Sequence, residues 1–182
     1  RVRDREEVGV GRGTPRVPAA GDEVEAVAGG EGGIRQQHGV AAGDGETLWV
    51  LDSETSALRR VRNGLVTTEV GQGLFDFGLV DGPAADALLQ HPLGLAELPD
   101  GSIAIADTYN GAVRRFDPVS REVTTLATGL AEPSDLAVVV DPERGHVLLV
   151  VESAAHRLTR VLLPEAALTV DAAAYRTQRP PT

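Results

Sequence analysis

The sequence predicts an all-β protein built from repeated four-stranded units, and two observations support this prediction. The first is a segment that occurs three times, in which an apolar strand ends in an acidic residue and a second strand follows at a fixed distance. The acidic residues are Asp52, Asp107 and Glu152, at spacings of 55 and 45 residues. A period of this length in β-type segments is typical of propellers and other stacked arrays.

The second observation is a difference in polarity between the strands of a unit. The second strand of the middle unit is apolar on both faces, because Ile103 and Ile105 point to one side and Ala104 and Ala106 to the other. Such a strand lies between two neighbouring sheets, whereas the alternating strand at 65–70 is partly solvated. Radial propeller blades require apolar inner strands and polar outer strands. We therefore predict a β-propeller and rank a flat sandwich second.

Each unit is predicted to be a meander of four strands, and the middle unit is the clearest. Its strands are expected at residues 93–98, 102–106, 112–116 and 122–127. Asp100-Gly101, between the first two strands, is a strong hairpin signal. The first unit closes with a strand at 65–70 and the third with a weaker one at 168–170. No segment shows a helical period.

The units define the expected domain organisation. The predicted blades, within a propeller region at 23–170, span residues 38–90, 91–132 and 133–170. Residues 1–22 are expected to be flexible or degenerate, and 171–182 resemble a linker. Val24, Ala26 and Ala28 alternate like the last strand of a preceding repeat. Because a propeller closes with roughly 4–8 blades, we expect an incomplete ring, part of a six-bladed one, in a fragment of a longer protein.

Composition excludes several classes of function. A net charge of −10 and a pI near 4.8 argue against nucleic-acid binding, which needs clustered basic residues. The absence of cysteine excludes disulfides, thiolate metal sites and a cysteine nucleophile. No apolar run approaches the roughly 20 residues that span a bilayer. We expect no nucleic acid, no membrane partner and no cofactor. A cytoplasmic location is favoured, although the lack of cysteine fits either redox compartment.

The middle blade contains the segments HPLGL at 91–95, PDG at 99–101, IADTYN at 105–110 and VRRF at 113–116. Together these segments resemble the NHL repeat. The resemblance covers residues 38–163 and is greatest to the propeller of thioredoxin-like/NHL proteins. In those proteins a redoxin-like domain precedes the propeller and a small β domain follows it. The resemblance implies NHL-type blades.

The other two blades depart from the NHL pattern. Residues 53–55 are Ser-Glu-Thr and residues 153–155 are Ser-Ala-Ala, where the motif has Thr-x-Asn. The redoxin-like domain and its cysteines are absent from the sequence, so its chemistry is not assigned to this chain. NHL-type lyases use His ligands around the central axis, and these ligands do not transfer to positions in this sequence.

The meander predicts which loops lie together. The turn between the second and third strands of a blade lies at the same end as the connection between blades. The turns 52–56, 107–111 and 152–156 and the long connection 71–90 therefore form one surface, which we call the loop face. Functional residues concentrate on such loops. The candidate ligand-binding residues there are Asp52, Asp107, Tyr109, Asn110, Glu152 and His156. The long connection, with Phe75 and Phe77 amid Gly71, Gly73 and Gly78, is expected to be the adaptable part of this face.

The three recurring acids, which we call the blade acids, have two interpretations. They could form a ring of carboxylates that gathers a cation, or each could accept backbone N–H bonds within its own turn. Recurrence favours the turn, because every blade needs its turn fixed. Asn110 is predicted to adopt a left-handed conformation before Gly111, and Tyr109 is a candidate partner contact.

The histidines and arginines have similar alternatives. The four histidines, His38, His91, His146 and His156, match no short metal signature, so structural roles are favoured over metal ligation. Arginines recur on the third strands at Arg59, Arg60, Arg114, Arg115 and Arg160. Ion pairing between blades explains this recurrence more simply than an anion-binding stripe.

The favoured function is a non-catalytic scaffold that binds a protein or a small molecule on the loop face. Remaining blades of the same protein, or a partner chain, are expected to close the ring. No catalytic residue and no metal ligand is assigned. The alternative is part of an enzyme, either a metal-dependent propeller lyase or hydrolase, or the propeller of a redoxin fusion whose chemistry lies outside this segment.

Overall fold

A computed structural model describes residues 37–42 and 46–164, with the side chains of 46–164. Within these residues the protein is all-β, as predicted, with twelve strands and one short 3-10 turn. The strands are β1 Gln37–Ala42, β2 Thr47–Asp52, β3 Ala57–Arg62, β4 Leu65–Val70, β5 Gly82–Pro83, β6 Gly94–Glu97, β7 Ile103–Asp107, β8 Ala112–Asp117, β9 Glu122–Ala127, β10 Pro133–Asp141, β11 Gly145–Glu152 and β12 Arg157–Leu162. The 3-10 turn is Thr108–Asn110. The predicted segments 1–22, 23–36 and 168–182 lie outside the described residues.

The strands form three antiparallel sheets, which we call the first, middle and third blades in chain order. The first sheet has the order β1-β2-β3-β4, and the third has the order β10-β11-β12. The middle sheet is the meander β6-β7-β8-β9 with β5 added at the outer edge of β9. Gly82 pairs with Val123 and Pro83 with Glu122, so the long connection contributes a short fifth strand that sequence analysis did not predict.

The middle blade is buried between its two neighbours. Ile103 and Ile105 belong to one core cluster, together with the first blade's Trp49, Leu51 and Leu58. On the other side, a second cluster is shared with the third blade and contains Ala104, Ala106, Val113, Leu136, Leu148, Val150 and Val161. The isoleucines and alanines of β7 are all fully buried, which confirms the prediction of a strand that is dry on both faces.

The first and middle blades also make specific contacts across their interface. The Trp49 and Phe116 rings meet edge to face, with centroids 5.8 Å apart. Glu69 of the first blade is buried and forms an ion pair with Arg121 of the middle blade. Because Trp49 is the only tryptophan of the chain, its fluorescence reports directly on this interface.

Candidate functional site

The three blade acids are buried inside their own blades. Asp52, Asp107 and Glu152 each end the second strand of a blade, and none of them has solvent-exposed side-chain surface. In the first two blades the residue opposite the acid is an alanine, Ala57 or Ala112. An arginine two positions further along the third strand shares that alanine's face of the sheet and can reach back to the carboxylate.

Each blade acid forms an ion pair with an arginine of the neighbouring strand. Arg59 Nη2 lies 3.1 Å from Asp52 Oδ2, and Arg114 Nη1 lies 2.9 Å from Asp107 Oδ2. In the third blade, Arg157 Nε lies 2.8 Å from Glu152 Oε1. The expectation that the recurring arginines pair between blades was wrong for Arg59, Arg60, Arg115 and Arg160, which pair with acids of their own blade. Arg114 pairs within its blade and also with Asp81 of the connection between the first and middle blades.

In the third blade the acid also pairs with an arginine, but that arginine occupies a different position on the third strand. Thr159 occupies the position of Arg59 and Arg114 and donates a hydrogen bond to Glu152. Arg157 occupies the position of the small alanine of the other blades. The repeat alignment selected Arg160, which instead pairs with Asp141 at the opposite end of the blade. Arg157 lies two positions before the threonine and has no arginine counterpart in the other two repeats. This irregularity was the sequence signal from which Arg157 could have been found.

Asp107 and Glu152 also bind the chain segment that leads into their blade. Asp107 Oδ1 accepts the backbone N–H of Gln90 at 2.6 Å, and Glu152 Oε2 accepts the N–H of Ala131 at 2.6 Å. These donors occupy equivalent places, since the next residue is left-handed in both cases, His91 with φ 46° and Glu132 with φ 51°. The predicted backbone N–H bonds within the acid's own turn were wrong for Asp107 and Glu152, because the donors lie 17 and 21 residues upstream.

Arg114 fixes the long connection to the middle blade. Its guanidinium is completely buried and donates to the carbonyl oxygens of Leu88 at 3.0 Å and Val80 at 2.8 Å. It also lies 2.6 Å from Asp81 Oδ1, so it joins two carboxylates and two carbonyls. The other Asp81 oxygen accepts the backbone N–H of Thr125 at 3.0 Å. The connection is therefore held to the outer strand as well as to the interior of the blade.

Asn110 has a different role from the predicted one. The left-handed residue of its turn is Gly111, with φ 58°, and Ser56 and His156 adopt the same conformation in the other blades. The Asn110 amide instead donates to Asp107 Oδ2 at 2.8 Å and to the carbonyl of Gly78 at 2.7 Å. Asn110 thus connects the blade acid to the long connection.

The pKa values of the blade acids in the middle and third blades are shifted in opposite directions. Burial raises the pKa of the Asp107 carboxyl, against the opposing effect of hydrogen bonds from Asn110, Gln90 and Arg114. Glu152 has the reverse balance, because hydrogen bonds from Arg157, Ala131 and Thr159 lower its pKa to about 2. Arg157 is more than half exposed, whereas Arg114 is fully buried.

The lowered pKa of Glu152 predicts a specific acid sensitivity. Its contribution to stability is fully present above pH 4.5, the ordinary value, and is lost as the pH falls towards about 2. The stability advantage of the wild type over Glu152→Gln should therefore shrink across this window. Thermal unfolding followed by circular dichroism measures it. Glu122→Gln, which alters an exposed carboxylate of β9, is the matched control.

Around the middle blade's turn, the loop face exposes Tyr109. Tyr109 is 62% exposed, and its ring stacks on His91 with centroids 4.6 Å apart and an interplanar angle of 13°. An open groove of about 470 Å³ lies beside this tyrosine. Its lining residues are Gln90, Thr108, Tyr109, Gly111, Leu130, Ala131 and Glu132. Of the six predicted site residues, Tyr109 and His156 have exposed side chains, and the three blade acids do not.

The histidines do not gather in the part of the chain that the structure describes. His91 packs on Tyr109, His156 lies in the third blade's turn, and His146 lies at the opposite hairpin, paired with Val140. Within residues 46–164, no three His, Asp or Glu side chains are placed to hold a metal ion together. In the same residues, no helix has the length and apolar character needed to cross a membrane.

Comparisons with known proteins identify relatives by sequence. NHL repeat-containing protein 2 of Bos taurus is 35% identical over 134 residues, covering 61% of this chain and 18% of the relative. The Homo sapiens protein of that name is 41% identical over 88 residues, covering 44% and 12%. Protein SUPPRESSOR OF QUENCHING 1, chloroplastic, of Arabidopsis thaliana is 36% identical over 113 residues, covering 54% and 10%. The chain thus spans between a tenth and a fifth of these relatives. No protein-family model matches the chain.

Solved structures show similarity of fold. A structural genomics protein of unknown function from Bacteroides thetaiotaomicron has a TM-score of 0.54 at 19% identity, covering 64% of this chain and 32% of that chain. An auxiliary nutrient binding protein from Bacteroides ovatus also has a TM-score of 0.54, at 18% identity, covering 64% and 35%. At these identities the likeness concerns the fold alone.

The repeated sheets and the structural neighbours define the class of the protein as a β-propeller segment. The sheets of the described residues do not close a ring, which agrees with the predicted incomplete propeller. The repeat motif and the sequence relatives then specify the kind of blade: this is a propeller segment of the NHL type.

Proposed function

We propose that this NHL-type segment is a non-catalytic scaffold module that binds a protein or a small ligand on its loop face. The burial of the blade acids is the observation that supports this proposal. Asp52, Asp107 and Glu152 are each withdrawn from solvent and engaged by an arginine. Such carboxylates stabilise the loops rather than react with a substrate, and the exposed residues beside them remain available for recognition.

The long connection adds apolar surface to the loop face. Phe75 is 84% exposed, and Phe77 and Leu79 are also exposed. Exposed apolar residues that lie close together are typical of interaction sites. The Arg114 contacts fix the later part of this connection, including Val80 and Leu88. A partner would therefore meet an apolar segment held at a defined position.

We propose that another blade covers the outer sheet face of the third blade, at the end of the described chain. Leu58 of the first blade is fully buried against the middle blade, whereas its counterpart in the third blade, Leu158, is 61% exposed. Leu162, on the same face of β12, is exposed as well. We infer that a further blade of the same protein, or a partner chain, covers this face. The much greater length of the sequence relatives supports this inference.

Affinity capture with paired variants tests the loop-face proposal. The chain is immobilised and exposed to extract of its natural source, and Phe75→Ser and Tyr109→Ala are compared with Val119→Ser. Val119 is similarly exposed but lies in the β8–β9 hairpin at the opposite end of the blade. We expect partners that bind the wild type and Val119→Ser but not the loop-face variants. Equal capture by all four proteins, or loss only with Val119→Ser, would contradict the proposal.

A further inference from the structure

The groove on the loop face has walls that are fixed by the protein itself. The backbone N–H of Leu130 donates to the carbonyl of Gly111 at 2.9 Å, which joins the two sides of the groove. The Thr108 hydroxyl donates to the carbonyl of Pro133 at 2.7 Å. The groove therefore lies between the middle blade's turn and the segment leading into the third blade, and its shape exists before a ligand binds.

Glu132 lines this preformed groove and has an exposed side chain. Its backbone is left-handed and is held by two hydrogen bonds from Ser153, from the N–H at 3.1 Å and from the hydroxyl at 2.9 Å, both to the Glu132 carbonyl. Its side chain is exposed and forms no ion pair within residues 46–164. Glu132 thus combines a fixed backbone with a carboxylate that is available to a ligand.

Tyr109 provides an aromatic surface in the same groove. Its ring is supported by the parallel His91 ring, while most of its surface is exposed. A cation placed over a tyrosine ring is attracted by the ring's quadrupole. An aromatic ring and a carboxylate that line one groove together form a site for an organic cation, because one supplies a flat surface and the other a hydrogen-bonding negative charge.

The charge distribution favours a cationic ligand at this site. Eight of the nine arginines between residues 46 and 164 form ion pairs with the chain's own carboxylates, and the sequence contains no lysine. On the loop face, the acids Glu54, Asp76 and Glu132 form no ion pair within the described residues. With a net charge of −10, this surface attracts positively charged groups.

We propose that the groove binds an arginine side chain of a partner polypeptide, with the guanidinium over Tyr109 and hydrogen-bonded to Glu132. A guanidinium is planar, stacks on aromatic rings and donates in a fork that matches a carboxylate, which an ammonium does not. This inference rests on the proposed loop-face binding function and assigns the chemistry of the partner.

A peptide titration followed by NMR tests this proposal on the complete chain. The probes are acetyl-Gly-Arg-Gly-amide and its citrulline analogue, which has nearly the same shape without the charge. We expect the arginine peptide to shift the amide signals of Tyr109, Leu130 and Glu132 and to bind about tenfold more tightly than the citrulline peptide, the effect of one charge-assisted contact. Binding should also weaken from 50 to 500 mM salt.

Variants locate the contact. Glu132→Gln and Tyr109→Ala should each weaken arginine-peptide binding about tenfold, whereas Glu122→Gln should leave it unchanged. Equal binding of the citrulline peptide, shifts confined to other surfaces, or no effect of Glu132→Gln would each overturn the arginine assignment. Partner capture that depends on Phe75 and Tyr109 would survive any of these results, so failure of this inference is distinguishable from failure of the loop-face function.

Discussion

Replacing Arg114 with alanine is expected to lower the free energy of unfolding by about 3–5 kcal/mol. The substitution leaves the buried Asp107 carboxylate without its cation and the carbonyls of Val80 and Leu88 without their donor. An unpaired charge in a protein interior is strongly destabilising, since neither water nor an opposite charge compensates it. Urea unfolding followed by the fluorescence of Trp49 measures the loss.

An exposed ion pair provides the control for this prediction. Arg62 and Glu46 lie 3.3 Å apart, and both side chains are about half exposed. Arg62→Ala should therefore change the free energy of unfolding by only about 0–1 kcal/mol. A loss for Arg114→Ala no larger than that for Arg62→Ala would contradict a structural role for the buried pair.

Ile105→Ala is expected to destabilise the protein by about 2–5 kcal/mol. Ile105 is fully buried in the cluster between the first and middle blades, so the substitution removes apolar contacts and leaves a cavity. Ile105→Val removes only one methylene and should cost about 0.5–1.5 kcal/mol. Thermal and urea unfolding of both variants measure this gradation.

The surface residue Val119 provides the comparison for Ile105. Val119→Ala alters a side chain that is almost entirely exposed and should change stability by less than about 0.5 kcal/mol. Similar losses for Ile105→Ala and Val119→Ala would mean that the first and middle blades do not share a packed interface. Such a result would contradict the stacking of the two sheets.

The fold could be predicted from the sequence because its main signals are local. The alternation of isoleucine and alanine in β7 determines which sheet each side chain meets, and the repeat shows that several blades use the same plan. The β5 pairing could not be predicted, since Gly82-Pro83 has no strand pattern of its own and pairs through its position beside β9. Tertiary proximity, rather than local propensity, creates that strand.

The candidate site was predicted less completely because its key contacts are distant in sequence. The position of the blade acids was evident, but their donors lie 17 and 21 residues away in the segments that lead into each blade. The role of Asn110 depends on Gly78, 32 residues upstream. Glu132 was missed because it matched no motif. Like His91, it directly precedes a proline, and this equivalence could have identified it.

The buried acids give the loop face both its rigidity and its character. Asp107 bonds to Asn110 of the turn, to the backbone of the lead-in residue Gln90 and to Arg114. These contacts use the carboxylate inside the blade, whereas the neighbouring Tyr109 is exposed. The recurring acid therefore orders the loops of this face and does not belong to a ring of open ligands.

A double-mutant cycle between Asp107 and Arg114 tests the central claim most directly. The free energies of unfolding of the wild type, Asp107→Ala, Arg114→Ala and the double variant are compared in urea. If the blade acid acts as a structural partner of its arginine, the double variant should lose less stability than the sum of the single losses, with a coupling energy of about 0.5–3 kcal/mol. Strictly additive losses, or an Asp107→Ala variant as stable as the wild type, would contradict the claim.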